Sequence, residues 1–66
     1  MGGFGGEIRA KTRDEAWIKL EREIRPEIED RFGLFLEAPA TKEAAFKSMR
    51  QDPRCHCWVL DYYFSK

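Results

Sequence analysis

Cys55 and Cys57 are the most reactive side chains in the sequence, and they flank its single histidine, His56. Thiolates and imidazole nitrogens are the usual ligands of zinc, which binds about four of them in a tetrahedral arrangement. The surrounding residues have the composition of a β-strand, and on a strand His56 points to the opposite face from both cysteines. The chain has no second cluster of cysteine or histidine. We therefore expect no metal site within one molecule; an ion held by four thiolates from two copies is the alternative.

The same alternation argues against catalysis by a cysteine nucleophile. Such a nucleophile needs a base within hydrogen-bond reach, and His56 would face away from its neighbours. No Ser-His-Asp combination stands out in the sequence. A chain of 66 residues also leaves little room for a ligand pocket of ~300 Å³ or more. We predict that the protein is not an enzyme and binds no cofactor.

The spacing of the two cysteines also indicates whether the protein occupies a reducing or an oxidising compartment of the cell. Closing Cys55 onto Cys57 along one strand would distort the geometry that a disulfide requires. Disulfides are rare in cytosolic proteins, where thiols are kept reduced. We therefore expect both cysteines to be reduced and the protein to be cytoplasmic.

The hydrophobic run from Cys55 to Phe64 predicts the strand around which the domain is built. It is rich in aromatic and β-branched residues and contains no Gly or Pro. One face would carry His56, Trp58, Leu60, Tyr62 and Phe64, and the other Cys55, Cys57, Val59, Asp61 and Tyr63. Because the first set is bulkier and the second contains an acid, we predict that the first set packs against helices.

Two threonines predict where those helices begin. Thr12 and Glu15 have the spacing of a capping box, and Thr41 takes the same position before Lys42. We expect the first helix to bend at Pro26 and to stop at Gly33, and the second to end near Gln51. The predicted apolar contacts of the first helix are Ala16, Trp17, Leu20, Ile24, Ile28 and Phe32. Those of the second are Ala45, Phe46 and Met49.

Two shorter strands complete the prediction. Glu7–Lys11 alternates charged and apolar residues, with Ile8 and Ala10 inward. Leu34–Ala38 would place Leu34, Leu36 and Ala38 inward and Phe35 with Glu37 outward. Residues 1–6 are rich in glycine, and we expect a flexible arm there, followed by a single domain over residues 7–66.

The predicted fold class is α/β, with α+β also compatible. We expect a two-layer sandwich in the order β-α-β-α-β, with a three-stranded sheet and both helices on one sheet face. Helical connections between strands permit parallel crossovers, and a mixed sheet is equally open.

The charge composition narrows the class of partner. Twelve Lys and Arg balance twelve Asp and Glu, whereas a general nucleic-acid binder normally has a basic excess. The sequence has no stretch with the length and apolarity of a transmembrane span, and we expect no membrane association.

The strongest functional signal is the predicted outer face of the sheet. Apolar surface rimmed by charges usually marks an interface. The residues predicted to bind a partner there are Arg9, Lys11, Phe35, Glu37, Cys57, Val59, Asp61 and Tyr63. We expect a small non-enzymatic protein-interaction domain that forms a homodimer, binds another protein, or does both. By analogy of size, phage or mobile-element inhibitors of host defence enzymes, such as anti-CRISPR proteins, belong to this class.

Nucleic-acid binding is the alternative prediction. It would use Arg9 and Lys11 together with Phe35 and Tyr63 on the same outer face. Single-strand binding surfaces combine basic and stacking side chains in this way. Acidic residues on the same face, and the absence of an excess of positive charge, count against it.

Overall fold

The computed structural model describes residues 2–66, so Met1 of the predicted arm lies outside the described part. In chain order the elements are β1 (Gly3–Ala10), α1 (Arg13–Lys19), a π-helical turn (Leu20–Ile24), α2 (Arg25–Phe32), β2 (Phe35–Ala38), α3 (Lys42–Ser48), β3 (Arg50–Asp52) and β4 (Cys57–Ser65). Because α1, the π-helical turn and α2 follow one another without a break, the chain has one long helix and one short helix. The protein is a small α+β domain.

The sheet is organised around β4. Along one side, β4 pairs antiparallel with β1 from Gly3 opposite Ser65 to Ala10 opposite Trp58. On its other side β3 pairs antiparallel with the beginning of β4, and β2 with its end. The sheet therefore has four strands, and every described pair is antiparallel. The predicted three-stranded sheet is wrong, because the three-residue strand β3 is a fourth strand that returns into β4 through a tight turn. The parallel crossovers that the element order permitted are not used, since β1 and β2 both run antiparallel to β4.

The long helix begins and ends as the sequence predicts. The Thr12 hydroxyl accepts a hydrogen bond from the Glu15 backbone N–H at 3.1 Å. Pro26 has no N–H to donate, and the turn before it is widened, so that the Arg25 N–H donates to the Leu20 carbonyl. A helix can therefore continue through a proline when a wider turn absorbs the missing bond. Gly33 ends it with φ 63°.

The core lies between the helices and one face of the sheet. The buried cluster is Ile8, Ala10, Ala16, Leu20, Ile28, Leu34, Ala45, Met49, Leu60 and Phe64. Trp58 and Tyr62 pack against it, so the predicted inward phase of the last strand is confirmed. The short helix starts at Thr41, whose hydroxyl accepts from the Ala44 N–H, and contributes Ala45 to the cluster. Phe32 is the exception in the predicted helical stripe, because it is 57% exposed.

Two strands differ from the prediction. The glycine-rich stretch is part of β1 from Gly3 onward, and not a flexible arm. In β2 the pairing shifts between Leu36 and Ala38, as in a β-bulge, so Ala38 pairs with Tyr63 and is exposed. The predicted inward position of Ala38 is therefore wrong, whereas Leu34 is buried and Leu36 packs on the core.

Candidate functional site

The outer sheet face is the side of the sheet turned away from both helices. Residues that lie opposite each other on antiparallel strands share a face. The pairs Arg9–Val59, Glu7–Asp61 and Gly5–Tyr63 therefore belong to this face, as do Val59–Arg50 and Phe35–Ser65. This arrangement brings together the predicted residues Arg9, Phe35, Cys57, Val59, Asp61 and Tyr63. Lys11 lies beyond the end of β1 and is exposed.

One end of this face, which we call the charged end, is made of ion pairs over a buried valine. Val59 lies between Arg9 on β1 and Arg50 on β3, and only 1% of it is exposed. The Arg9 guanidinium contacts Asp52 at 2.6 Å and Glu7 at 3.3 Å. Arg50 contacts Asp61 at 2.5 Å. The prediction that Val59 is exposed is therefore wrong, because its two neighbours across the strands are long side chains whose stems can cover it.

Asp52 accepts hydrogen bonds from two donors in this network, the Arg9 guanidinium and the Arg54 backbone N–H. The hydrogen bond from Arg9, followed by that from the Arg54 backbone N–H, holds the pKa of Asp52 below its usual range. The same hydrogen bond, which Asp52 accepts, raises the pKa of Arg9. Arg9 therefore links β1 to β3 across β4, and its charge is engaged within the molecule.

The other end of the face, the aromatic end, is exposed. Tyr63 is 44% exposed and Phe35 is 61% exposed. Opposite Tyr63, β1 has glycine, and a Cβ placed on Gly3 would overlap the Tyr63 hydroxyl. The ring of Tyr63 therefore lies across β1 towards the edge of the sheet. Glu37 also reaches this end, where its carboxylate accepts a hydrogen bond from the Ser65 hydroxyl at 2.7 Å.

On the helix side of β1, a glycine likewise leaves space for a tyrosine ring of β4. A Cβ on Gly6 would lie 2.5 Å from the Tyr62 hydroxyl, so Tyr62 also crosses the strand. Phe4 lies beside Tyr62, with ring centroids 6.1 Å apart, and is 40% exposed. Sequence reasoning missed this arrangement, although the alternation of glycine with Phe4 and the paired tyrosines was a usable signal.

The edges of the sheet differ in what they present to solvent. Within residues 2–66, β1 pairs only with β4, which leaves its other side open over Gly3–Ala10. The opposite edge is divided between β2 and β3, which are short, and β2 contains the pairing shift. Short and bulged edge strands resist pairing with other chains, whereas a long regular one is open to it.

Cys55 lies in the turn that enters β4, and Cys57 is the first residue of that strand. His56 has φ 55°, in the left-handed region, and Cys55 precedes the strand. Cys55 and Cys57 therefore do not follow one extended strand, their Cα atoms are 5.2 Å apart, and their sulfurs are joined in a disulfide. This corrects the expectation of reduced cysteines. Cys55 is exposed and Cys57 is half-buried. Cys57 lies opposite Asp52 at the charged end, so it contributes no apolar surface to the aromatic end.

A concave surface, separate from the outer sheet face, lies near the start of the short helix. Its lining residues are Arg13, Thr41, Lys42, Glu43, Phe46 and Lys47. The Arg13 guanidinium lies 4.9 Å from the ring centre of Trp58 and 5.5 Å from that of Phe46. Lys42 pairs with Asp14 at 3.4 Å, and Lys47 with Glu43 at 4.0 Å. The positive charges of its lysines are thus balanced locally.

No protein-family model, curated protein or solved structure matches this chain. Among the helices of residues 2–66, none combines the length and the apolarity needed to cross a membrane.

Proposed function

We propose that the chain is a small protein-interaction domain that forms a homodimer by pairing its β1 strands edge to edge. The observation that carries the proposal is the open side of β1, which runs without an irregularity from Gly3 to Ala10. Its unpaired backbone N–H and C=O groups can bind a second strand directly. The charge balance of the chain is compatible with such self-association, since neither copy carries a net charge that repels the other.

The residue types along β1 select a register. A two-fold pairing that keeps both sets of helices on one side places residues of the same face opposite each other. A register centred on Glu7 would oppose two carboxylates, and one centred on Ile8 would pair only Gly6–Ala10. The register centred on Gly6 pairs the strands from Gly3 to Arg9 and places Gly5 opposite the second copy's Glu7. We therefore assign the dimer to this register.

The same register covers the aromatic side chains that the monomer leaves open. Phe4 would lie opposite Ile8 of the second copy on the helix side of the sheet. Tyr63, whose ring crosses β1, would meet the second copy on the outer face. Exposed aromatic side chains at the centre of an interface usually contribute most of its binding energy. The partner-binding residues of this proposal thus include Tyr63 from the sequence prediction, and they add Phe4.

A pair of substitutions at Gly5 tests both the dimer and its register. A Cβ there lies 3.4 Å from the Tyr63 ring, an ordinary contact, so either side chain is compatible with the fold. In the Gly5→Glu dimer, the new glutamate of each copy would lie opposite Glu7 of the other copy. The dimer would therefore contain two like-charge contacts, each costing ~0.2–1 kcal/mol. We expect the dimer dissociation constant to rise roughly 2- to 30-fold. Gly5→Lys should leave the dimer unchanged or tighten it.

Light scattering across a dilution series measures both variants beside the unmodified protein. If Gly5→Glu tightened the dimer and Gly5→Lys weakened it, the register would be wrong, because Gly5 would then lie opposite Arg9 or Lys11. An unmodified protein that stayed monomeric at every concentration would contradict homodimerisation altogether.

The biological setting that we propose is inhibition of a host defence protein in the cytoplasm, by the analogy of size given above. A dimer that uses β1 leaves Phe35 and Glu37, on the other side of β4, free to contact such a target. Binding of a target would require the outer face to stay accessible in the dimer. Titration of a candidate target with the Phe35→Ala variant, compared with the unmodified protein, tests this contact.

The ion pairs on the outer face argue against nucleic-acid binding. On the outer face Arg9 is paired with Asp52 and Glu7, and Arg50 with Asp61. Phosphate contacts would have to displace those carboxylates. If an oligonucleotide bound with an affinity that fell steeply with salt, this alternative would replace the proposal, because released counterions give such a dependence.

A further inference from the structure

We propose that Cys55 and Cys57 form an exposed site for thiol–disulfide exchange with small thiols and their disulfides, and that Arg9 is its positioning residue. The inference rests on two cysteines that are separated by one residue and on a guanidinium from a strand far away in the sequence. Cys55 comes from the turn, Cys57 from the start of β4, and the Arg9 guanidinium from β1. The two cysteines lie outside β1, the strand that the proposed dimer pairs, whereas Arg9 is the last residue in that pairing.

The backbone turn brings the two sulfurs together. His56 adopts φ 55°, and its N–H donates to the Asp52 carbonyl at 2.9 Å. The side chain of Asp52 accepts from the Arg54 N–H at 2.9 Å, which holds the other side of the turn. Cys55 is exposed, so a small thiol can approach its sulfur from solvent. The turn therefore holds both sulfurs in reach of each other and of a reagent.

Arg9 supplies the electrostatic part of the site. One of its guanidinium nitrogens, Nη1, lies 3.9 Å from the sulfur of Cys55 and 3.9 Å from that of Cys57. Positive charge beside a cysteine favours the thiolate, which is the nucleophile and the leaving group of exchange. The other charged or titratable groups around the turn are Asp52, Arg54 and His56. Asp52 holds Arg9 at 2.6 Å and thereby fixes it beside the sulfurs.

The same position of Arg9 argues against a metal site. The carboxylate of Asp52 and the sulfurs of Cys55 and Cys57 lie within 4.8 Å of one another, a distance that could suit an ion. The guanidinium, however, contacts both sulfurs and the carboxylate, and its positive charge would repel a cation there. The positive charge of Arg9 stabilises the thiolates that form during exchange, whereas a bound metal ion would require the guanidinium to move away.

The exchange step balances without any further reagent. A thiolate RS⁻ attacks the exposed sulfur of Cys55, the S–S bond breaks, and its electron pair leaves on Cys57. A second RS⁻ attacks the RS sulfur of the mixed disulfide, forms RSSR and releases the Cys55 thiolate. The two cysteine thiolates take up the two protons that the RSH molecules lost. Two thiols are thus oxidised while one protein disulfide is reduced, and the reverse sequence oxidises the protein.

The experiment follows the protein in buffers of defined reduced-to-oxidised glutathione ratio. Samples are quenched with acid, alkylated and analysed by mass spectrometry, which separates the dithiol, the mixed disulfide and the intramolecular disulfide. We expect the intramolecular disulfide and the dithiol to interconvert, with the mixed disulfide as a transient species. Exchange in Arg9→Met should be slower by about three- to tenfold, because the thiolates lose their neighbouring positive charge.

Two further variants separate the charge effect from a structural one. Arg50→Met is the matched control, because Arg50 lies on the opposite side of Val59 and pairs with Asp61. Its exchange rate should equal that of the unmodified protein. Arg9→Lys keeps the positive charge without the guanidinium geometry, so it should recover most of the lost rate. Circular dichroism of each variant verifies that it is folded.

Three results would overturn the proposal. The first is the absence of an intramolecular disulfide at every glutathione ratio. The second is an Arg9→Met variant, folded, that exchanges as fast as Arg50→Met. The third is stoichiometric zinc binding by the reduced protein that protects both thiols from alkylation, because the cysteines would then be metal ligands.

Discussion

The charged end and the aromatic end of the outer sheet face both include residues of β4. An apolar side chain of β4 is buried at the charged end, whereas one at the aromatic end is exposed. At the charged end Val59 has an arginine on each side and is almost completely covered. At the aromatic end Tyr63 has glycine opposite it on β1, and it remains substantially exposed. The exposure of a residue on β4 is thus decided by the neighbouring strands. Long charged stems cover a neighbour, whereas glycine leaves room for a ring but hides none of it.

Replacing the apolar residue at each end tests most directly whether Val59 is better packed than Tyr63. Val59→Ala removes buried methyl groups and should lower the free energy of unfolding by roughly 1.5–3 kcal/mol. Tyr63→Ala removes a larger but partly exposed side chain and should cost less. Urea denaturation of both variants at neutral pH measures the two losses. If Tyr63→Ala were the more destabilising, the charged end would not be the better packed one.

The glycines of β1 allow a second test of the aromatic end. Gly6→Ala places a Cβ 2.5 Å from the Tyr62 hydroxyl, so the ring must move, at a cost of about 1–2 kcal/mol. Gly5→Ala is the control on the same strand, where the added Cβ lies 3.4 Å from Tyr63 and should change the stability little. Thermal unfolding of the two variants compares them. Equal melting temperatures would show that Tyr62 does not need the space above Gly6.

A charged residue in place of Tyr63 separates the effect of this position on self-association from its effect on stability. Tyr63→Glu should leave the fold intact, because the side chain is exposed, and weaken self-association by about 3- to 30-fold. Analytical ultracentrifugation gives the dissociation constant. A matched substitution outside the proposed interface is Phe35→Glu, which should leave the dimer intact. The edge-pairing proposal would be contradicted if Phe35→Glu had the larger effect on the dimer.

The smallest expected effect is a pH dependence confined to the charged end. The pKa of Asp52 is lower in the folded protein than in the unfolded chain, so its stabilisation is present above the usual carboxyl range. It is lost as the pH falls through the pKa of the folded state. Stability measured between neutral and acid pH should therefore fall less in Asp52→Asn than in the unmodified protein. Parallel curves for the two proteins would count against an energetic role for the pair with Arg9.

Local signals in the sequence predicted the parts of the fold that depend on near neighbours. Thr12 and Thr41 begin helices, and Gly33 ends one, because capping involves residues close in the chain. The inward orientation of Trp58 and Phe64 could be predicted because they belong to the bulkier of the two alternating sets of side chains on the last strand. The missed strand β3 is Arg50–Asp52, which has no apolar residue that could mark it as a strand.

The parts that could not be predicted depend on partners far away in the sequence. Glycine has low strand propensity, and Gly3–Gly6 is extended because it pairs with residues 62–65 of β4, at the other end of the sequence. Val59 is buried because Arg9 and Arg50 come to lie on either side of it, which requires knowledge of the strand order. The turn at His56 depends on a positive φ that no glycine marked. The candidate site was thus predicted as a set of residues, whereas its division into two ends was not.

The central position of β4 has a consequence for synthesis on the ribosome. All three other strands pair with β4, and β4 follows each of them in the chain. A nascent chain that has not yet released β4 can form its helices, whose bonds are local, but none of these strand pairs. Until then Ile8, Leu20 and Leu34 have no sheet to cover them. The sheet can therefore assemble only after translation of β4, and a chaperone that binds exposed apolar segments would act before that moment.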